Sequence, residues 1–375
     1  MLSGSEALVT RGRGPMERLA REELLHLLHI PSPSGAEERL LSYLETRFRA
    51  LGLETGHLPV PGSSYDLLVN PLTAPRLLID THVDTVPDII EGQDCPVRVQ
   101  GDAIYGRGSA DAKGSLVAVI LAVEMLRQKG RPVRNLPMTL AFTVDEEREA
   151  RGSEVLADSL APLEAVVMEP TGLTVAVAEA GSLVVEVTVT GIRAHGSCPD
   201  AGESAISRTL AILERIHGLP FVQERHPLVG PADFNVRYLC GGSEELAVAG
   251  LCRALLDFRL LPGQDVEAVK RELGEFLVAS GVTYRVVETS PPYQLPEGEP
   301  VVRRLRQACR QALGQEGRIG GMVSWTDAEN LFSRGIPAVV FGPGRLEVAH
   351  TPDESVNIRE IVAAARVLVE LALSL

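Results

Sequence analysis

Short apolar runs, each the length of one strand, recur along this chain with helix-like stretches between them. They are "LLI" at 77–79, "MTLAFTV" at 138–144, "AVVMEP" at 165–170 and "PAVVFG" at 337–342. Runs that are apolar on both faces need cover on both sides, and the intervening stretches supply it. "MERLAREELLHLLHI" is an amphipathic helix halted by the breaker cluster "PSPSG". "AEERLLSYLETRFRALG" is a second helix, with Gly52 in the C-cap region. A strand over 66–69, a long helix over 112–129, a helix between 144 and 165, a helix over 301–313 and a terminal helix complete the alternation. The pattern predicts an α/β domain built on a sheet, mostly parallel, covered by helices.

The pattern changes near Gly181. "SLVVEVTVTG" alternates with period two, as a half-exposed antiparallel strand does. Helices over 203–217 and 265–279 and strands over 234–239, 251–260 and 282–288 follow, closed by "SPPYQLPEGEP". The chain of 375 residues therefore reads as a discontinuous domain, 1–180 with 290–375, carrying an α+β insert at 181–289. "SWTDAEN" reads as a loop of the first domain.

The net charge is −14, and no basic stripe rises above the acidic background, which argues against a nucleic-acid partner. The five cysteines, at 95, 198, 240, 252 and 309, show no paired spacing. Buried free thiols in a reduced, cytoplasmic protein are the simplest expectation. "MLSGSEALVTRGRGP" has no apolar segment of signal-peptide type and reads as a loose tail. The longest apolar run, "SLVAVILAVEML", is too short to span a bilayer, so no membrane partner is expected. "GRG" and "GPG" suggest phosphate loops, yet neither has the lysine-serine spacing or the dinucleotide fingerprint.

Ligands of open α/β sheets sit beyond the carboxyl ends of the strands. His82 and Asp84 follow the run at 77–79, and Asp145, Glu146 and Glu147 follow the run at 138–144. Glu169 closes the run at 165, and His350 follows the run at 337. Asp111 lies in "GRGSADAKG", ahead of the long helix. Singly, each is a solvated turn or a structural histidine. Together, several carboxylates at one crevice cost several kcal/mol of repulsion unless cations hold them. Histidines among them favour a divalent transition metal, zinc foremost, with cobalt or manganese as substitutes.

"THVDTVP", "GRGSADAKG", "TVDEE", "VMEP" and a late histidine, in that order, resemble a co-catalytic zinc family. Its members are aminoacylase, acetylornithine deacetylase, succinyl-diaminopimelate desuccinylase and glutamate carboxypeptidase. The resemblance implies a zinc-exopeptidase-like mixed sheet with a ferredoxin-like insert serving as lid and dimerisation domain. It also implies two zinc ions per chain. His82 and Glu169 would hold one, Glu147 and His350 the other, and Asp111 both. Glu146 would be the general base, Asp84 would orient His82, and the Asp111–Ala112 peptide would be cis. Two dications against three ligand carboxylates leave a net positive site, which lowers the pKa of water toward ~7.

In the insert, "GIRAHGSCPDAGESAI" resembles the family's motif whose histidine, here His195, stabilises a tetrahedral oxyanion, in dimeric members from the partner chain. Asn235 in "FNVRYLCGG" matches a substrate-contacting asparagine. Arg259 in "DFRLLPG" matches an arginine that grips a substrate carboxylate. The implied activity is removal of an acetyl or succinyl group from an N-acyl amino acid by a homodimeric hydrolase. A glutamate-releasing carboxypeptidase, a dipeptidase and a non-catalytic scaffold are the alternatives. Glutamate at position 169 goes, in this family, with deacylases and carboxypeptidases rather than with dipeptidases.

Overall fold

The computed structural model describes residues 14–375 except Asp88 and Glu91; the N-terminal stretch read as a loose tail lies almost wholly outside the described residues. The chain divides into two compact units. The first holds the residues up to Val177 with Leu295–Gly320 and Thr326–Leu375; the second holds Ala178–Gln294 and Gly321–Trp325.

The first unit is built on a mixed sheet. Its principal strands are β1 (Thr55–Pro59), β2 (Tyr65–Val69), β3 (Leu77–His82), β4 (Met138–Thr143), β5 (Ala165–Val167), β6 (Val175–Glu179) and β7 (Ala338–Val340). The order across the sheet is β1-β2-β4-β3-β5-β7-β6. The four central strands, β4, β3, β5 and β7, run parallel. Every residue of these four is buried, in keeping with their largely apolar character, to which the exceptions include Asp80 and His82 of β3. The flanking pairs β1–β2, β2–β4 and β7–β6 are antiparallel, so the sheet is mixed rather than mostly parallel.

The helices of this unit are α1 (Pro15–Leu28), α2 (Glu38–Ala50), α3 (Gly114–Gln128), α4 (Arg151–Ser159), α5 (Pro300–Leu313), α6 (Asp327–Ser333) and α7 (Ile358–Leu373). Leu40, Leu41, Leu44 and Phe48 fall on one face of α2 and are fully buried, the stripe an amphipathic helix turns to a core. The helix α3 is apolar on nearly every side and packs against α1 and α7. It begins at Gly114, later than the spacing suggests, because Asp111 and Ala112 leave helical backbone geometry. "SWTDAEN" is also more ordered than a loop: α6 starts inside it, with the Thr326 hydroxyl accepting a hydrogen bond from the Ala328 amide.

The second unit carries four antiparallel strands in the order 233–241, 251–260, 181–190, 283–290. With the helices Ala205–Ile216 and Val266–Ala279, the chain runs strand-helix-strand-strand-helix-strand, the ferredoxin-like arrangement. Leu183, Val185, Val187 and Val189 enter its core, and the residues between them face the other side. Of the five cysteines, all unpaired, Cys198 and Cys240 are exposed, so buried thiols account only for the other three. Among the described residues no helix is long and apolar enough to cross a membrane.

Candidate metal centre

The parallel strands deliver ionisable groups to one edge of the first unit's sheet. His82 is the last residue of β3, and Glu169 lies two residues past β5. Glu146 and Glu147 follow β4 in a turn opened by Asp145, whose φ of 68° is left-handed. That turn is fastened at its carbonyl by the Glu149 amide and at its carboxylate by both nitrogens of an Arg151 fork, 2.7 and 3.1 Å away. His350 follows β7 and has φ 61°. Asp111 sits in the irregular turn before α3, and the Asp111–Ala112 peptide is cis.

Two groups of ligand atoms result, each within 4.8 Å: His82 with Asp111 and Glu169, and Asp111 with Glu147 and His350. Asp111 belongs to both. Its Oδ1 lies 3.0 Å from His82 Nε2, and its Oδ2 lies 3.6 Å from His350 Nε2. Glu169 Oε1 is 3.5 Å from His82 Nε2, and Glu147 Oε1 is 2.9 Å from His350 Nε2.

Asp84 is fully buried and does more than the sequence suggests. His82 Nδ1 is nearer the Asp84 main-chain carbonyl, at 3.1 Å, than its Oδ1, at 3.4 Å. The Asp84 carboxylate accepts the amides of Glu146 and Glu147, at 3.1 and 3.0 Å, and the Ser34 hydroxyl at 2.7 Å. It therefore holds the turn carrying both glutamates as well as the imidazole. Ser34 belongs to "PSPSG", which reads in the sequence only as a helix breaker.

The electrostatics show a site overfull of negative charge. Burial, then the charges of Asp111 and Glu147 among others, raises Glu169 well above the usual carboxylate range. Burial and Asp111 raise Glu147, and burial with Glu169 and Glu147 raises Glu146. Burial alone would lower His82, yet Glu169, Asp111 and Asp84 outweigh it and hold the imidazole protonated well above its ordinary range. Only Asp111 is lowered: burial opposes this, but His82 and His350 prevail. Glu169 Oε1 is buried without a hydrogen-bond partner among the described residues. An orphaned carboxylate oxygen beside an imidazole nitrogen is what a cation ligand looks like, and a donor set of carboxylates and imidazoles, without thiolate, suits zinc, cobalt or manganese. The residues fit a pair of divalent cations.

Behind the centre lie further buried acids that no sequence motif marked. The Thr143 hydroxyl lies between Asp80 Oδ1 at 3.2 Å and Asp327 Oδ2 at 3.0 Å, and Asp66 Oδ1 accepts the Val144 amide at 3.1 Å. Burial pushes Asp327 up to about 6. Glu354 and Arg107 form a buried ion pair at 2.6 Å, so the "GRG" arginine serves a carboxylate of the protein rather than a phosphate. The one available signal was the position of Glu354, four residues after His350 in "HTPDE".

His195, Asn235 and Arg259 lie in the second unit. His195 is exposed, and its Nδ1 accepts the Ser197 amide at 3.2 Å. Asn235 is exposed on the strand 233–241, opposite Asp257, while Arg259 is half-buried and donates to the Pro231 carbonyl at 3.4 Å.

Close packing gives the centre a testable weak point. A Cβ added at Gly342 would lie 2.5 Å from the Glu169 carbonyl oxygen and 3.0 Å from Ser115 Oγ. Gly342→Ala is expected to displace Glu169 at a cost of about 1–3 kcal/mol. Thermal melts and metal content together check it, and wild-type values in both would refute the placement.

The chain is 29% identical over 360 residues to acetylornithine deacetylase of Edwardsiella ictaluri, covering 90% of each chain. It is 30% identical over 303 residues to acetylornithine deacetylase of Myxococcus xanthus, covering 76% of this chain and 77% of the relative. Its fold matches the crystal structure of a tripeptidase from Staphylococcus aureus with a TM-score of 0.76 at 21% identity, over 95% of this chain and 97% of that one. The family model described as peptidase family M20/M25/M40 matches residues 78–374. With that span, the chain belongs to peptidase family M20/M25/M40 and is a hydrolase.

Proposed function

We propose that the protein is a dinuclear metal amidohydrolase that removes an acetyl or succinyl group from an N-acyl amino acid. The observation that carries this reading is the pair of ligand groups sharing Asp111, with Glu146 next to the ligand Glu147. His82 and Glu169 would hold one cation, Glu147 and His350 the other, with Asp111 available to both. We take zinc as the resident metal, with cobalt or manganese able to replace it. Bound there, the cations supply Lewis acidity toward an amide carbonyl and toward water.

Glu146 takes the proton that water releases as its oxygen attacks the carbonyl carbon, and passes it to the leaving nitrogen as the C–N bond breaks. Burial is the first cause of its raised pKa, and burial persists with cations present. A raised pKa favours holding that proton until the leaving nitrogen takes it. Asp84 keeps the base in place through the Glu146 amide. His195, Arg259 and Asn235 are assigned to the oxyanion, the substrate carboxylate and a further substrate contact, on the resemblance of their motifs alone. On the same footing we assign the second unit to pairing of two copies, which sedimentation of the purified protein tests. Five unpaired cysteines support a reducing, cytoplasmic setting.

Two acetylornithine deacetylases among the relatives, and glutamate at position 169, support a deacylase over a dipeptidase. The test is a zinc- or cobalt-loaded panel of N-acetylornithine, N-acetyl-lysine, N-succinyl-diaminopimelate, N-acetyl-methionine, folyl-glutamate and plain dipeptides. Preferred cleavage of the first four is expected. A preference for dipeptides or folyl-glutamate would replace this reading with a peptidase one.

A further inference from the structure

Two buried carboxylates each collect a pair of consecutive backbone amides at this sheet edge. Asp84 collects those of Glu146 and Glu147. Glu354 Oε1 collects those of Ala110 and Asp111, at 3.1 and 3.3 Å, while its Oε2 accepts from Arg107 Nη1 at 2.6 Å. Glu354 is fully buried and Arg107 nearly so. No role in the reaction follows from the metal centre itself for either residue.

We infer that Glu354 is a positioning residue that fixes the orientation of Asp111; the inference rests on the dinuclear reading above. Asp111 turns one oxygen to His82 and the other to His350, so a small rotation spoils both ligand groups at once. The helical ladder does not hold it, because α3 starts three residues later and Asp111 itself has φ −125° and ψ 94°. Its amide and that of Ala110 are instead anchored on Glu354. The same side chain stands four residues beyond His350, so one carboxylate links the loops of the shared ligand and of the second group's histidine. Arg107 sets a positive charge against this buried carboxylate, its Nη1 donating to Oε2.

The loop bearing Glu354 has its own backbone anchors. Residues 355–357 pair with 103–105, and the Gly106 amide donates to the Glu354 carbonyl at 3.1 Å. Glu354→Gln should therefore fold. Its carboxamide cannot serve both neighbours: whichever way it turns, an NH2 group meets either Arg107 or the two amides, donor against donor.

The test compares wild type and E354Q by competition of Zn2+ or Co2+ against a chromophoric chelator, with melts of the chelated proteins alongside. Both ions are expected to bind about 10–100-fold more weakly to the variant, the range typical when a group supporting a ligand is removed. Lowered melting with wild-type affinity for both ions would overturn the inference, since that is the outcome of a purely structural role. If E354Q does not fold, Glu354→Asp keeps the charge and withdraws it by one methylene; weakened binding of both ions supports the inference, and unchanged binding overturns it. A wild-type protein that binds no metal would instead remove the dinuclear reading beneath it.

Discussion

Glu146→Gln is expected to bind both cations as the wild type does and to lose about 10²–10⁴-fold in kcat, the range that general base catalysis supplies. The substitution keeps size and shape and removes only the capacity to accept and return a proton. Glu146 belongs to neither group of ligand atoms, so the metal centre should survive. Its backbone amide, which Asp84 holds, is also untouched. Turnover by the metal-loaded variant, together with elemental analysis of the same sample, provides the check. A variant with full metal content and near wild-type rate would show that another group moves the proton. Loss of metal would show that Glu146 helps hold the centre.

Removing the metal should reverse the direction in which stability depends on pH. In the chelated protein Asp327 is pushed from 3.8 to about 6 by burial. Between those values the folded chain keeps a proton that the unfolded chain has released, so folding weakens as pH rises through the window. For this group alone the gap amounts to ~3 kcal/mol. His82 acts in the same direction: its raised pKa adds stability at low pH that is lost as pH rises through the folded value. In the loaded protein, protons compete with the cations for His82 and His350, so stability should climb from pH 5 to pH 7. Each ion at a free concentration 100 times its Kd adds ~2.7 kcal/mol. Melts from pH 4.5 to 7.5, with chelator and with excess zinc, should give opposite slopes. Parallel slopes would mean that the cations do not occupy this cluster.

How far the sequence foretold this molecule depended on whether a residue's surroundings were local. The strands at 77–82, 138–143, 165–167 and 338–340 were legible because burial on both faces demands runs of mostly apolar side chains. His82 and Glu169 stood out because costly groups closed those strands. β1 was not legible: "TGHLP" has poor strand propensity and is a strand only by pairing with β2. β6 was hidden in small residues, "VAVAE", whose burial depends on β7 from much further along the chain. Ser34, Asp327 and Glu354 carry no local mark, since what each does is set by partners 50, 184 and 244 positions away. The start of α6 was missed because Ser, Thr and Asp signal a turn and a helix cap equally well.

The position of β7 has a consequence for a chain still being synthesised. β7 is the last of these strands to leave the ribosome, yet it lies between β5 and β6 in the middle of the sheet. Until it arrives, β5 and β6 each present an unpaired edge, and His350 does not yet exist. Glu354, which accepts the Asp111 amide, also follows β7, so the surroundings of Asp111 are among the last to assemble. The centre of the sheet therefore closes only when β7 inserts between two strands made long before it.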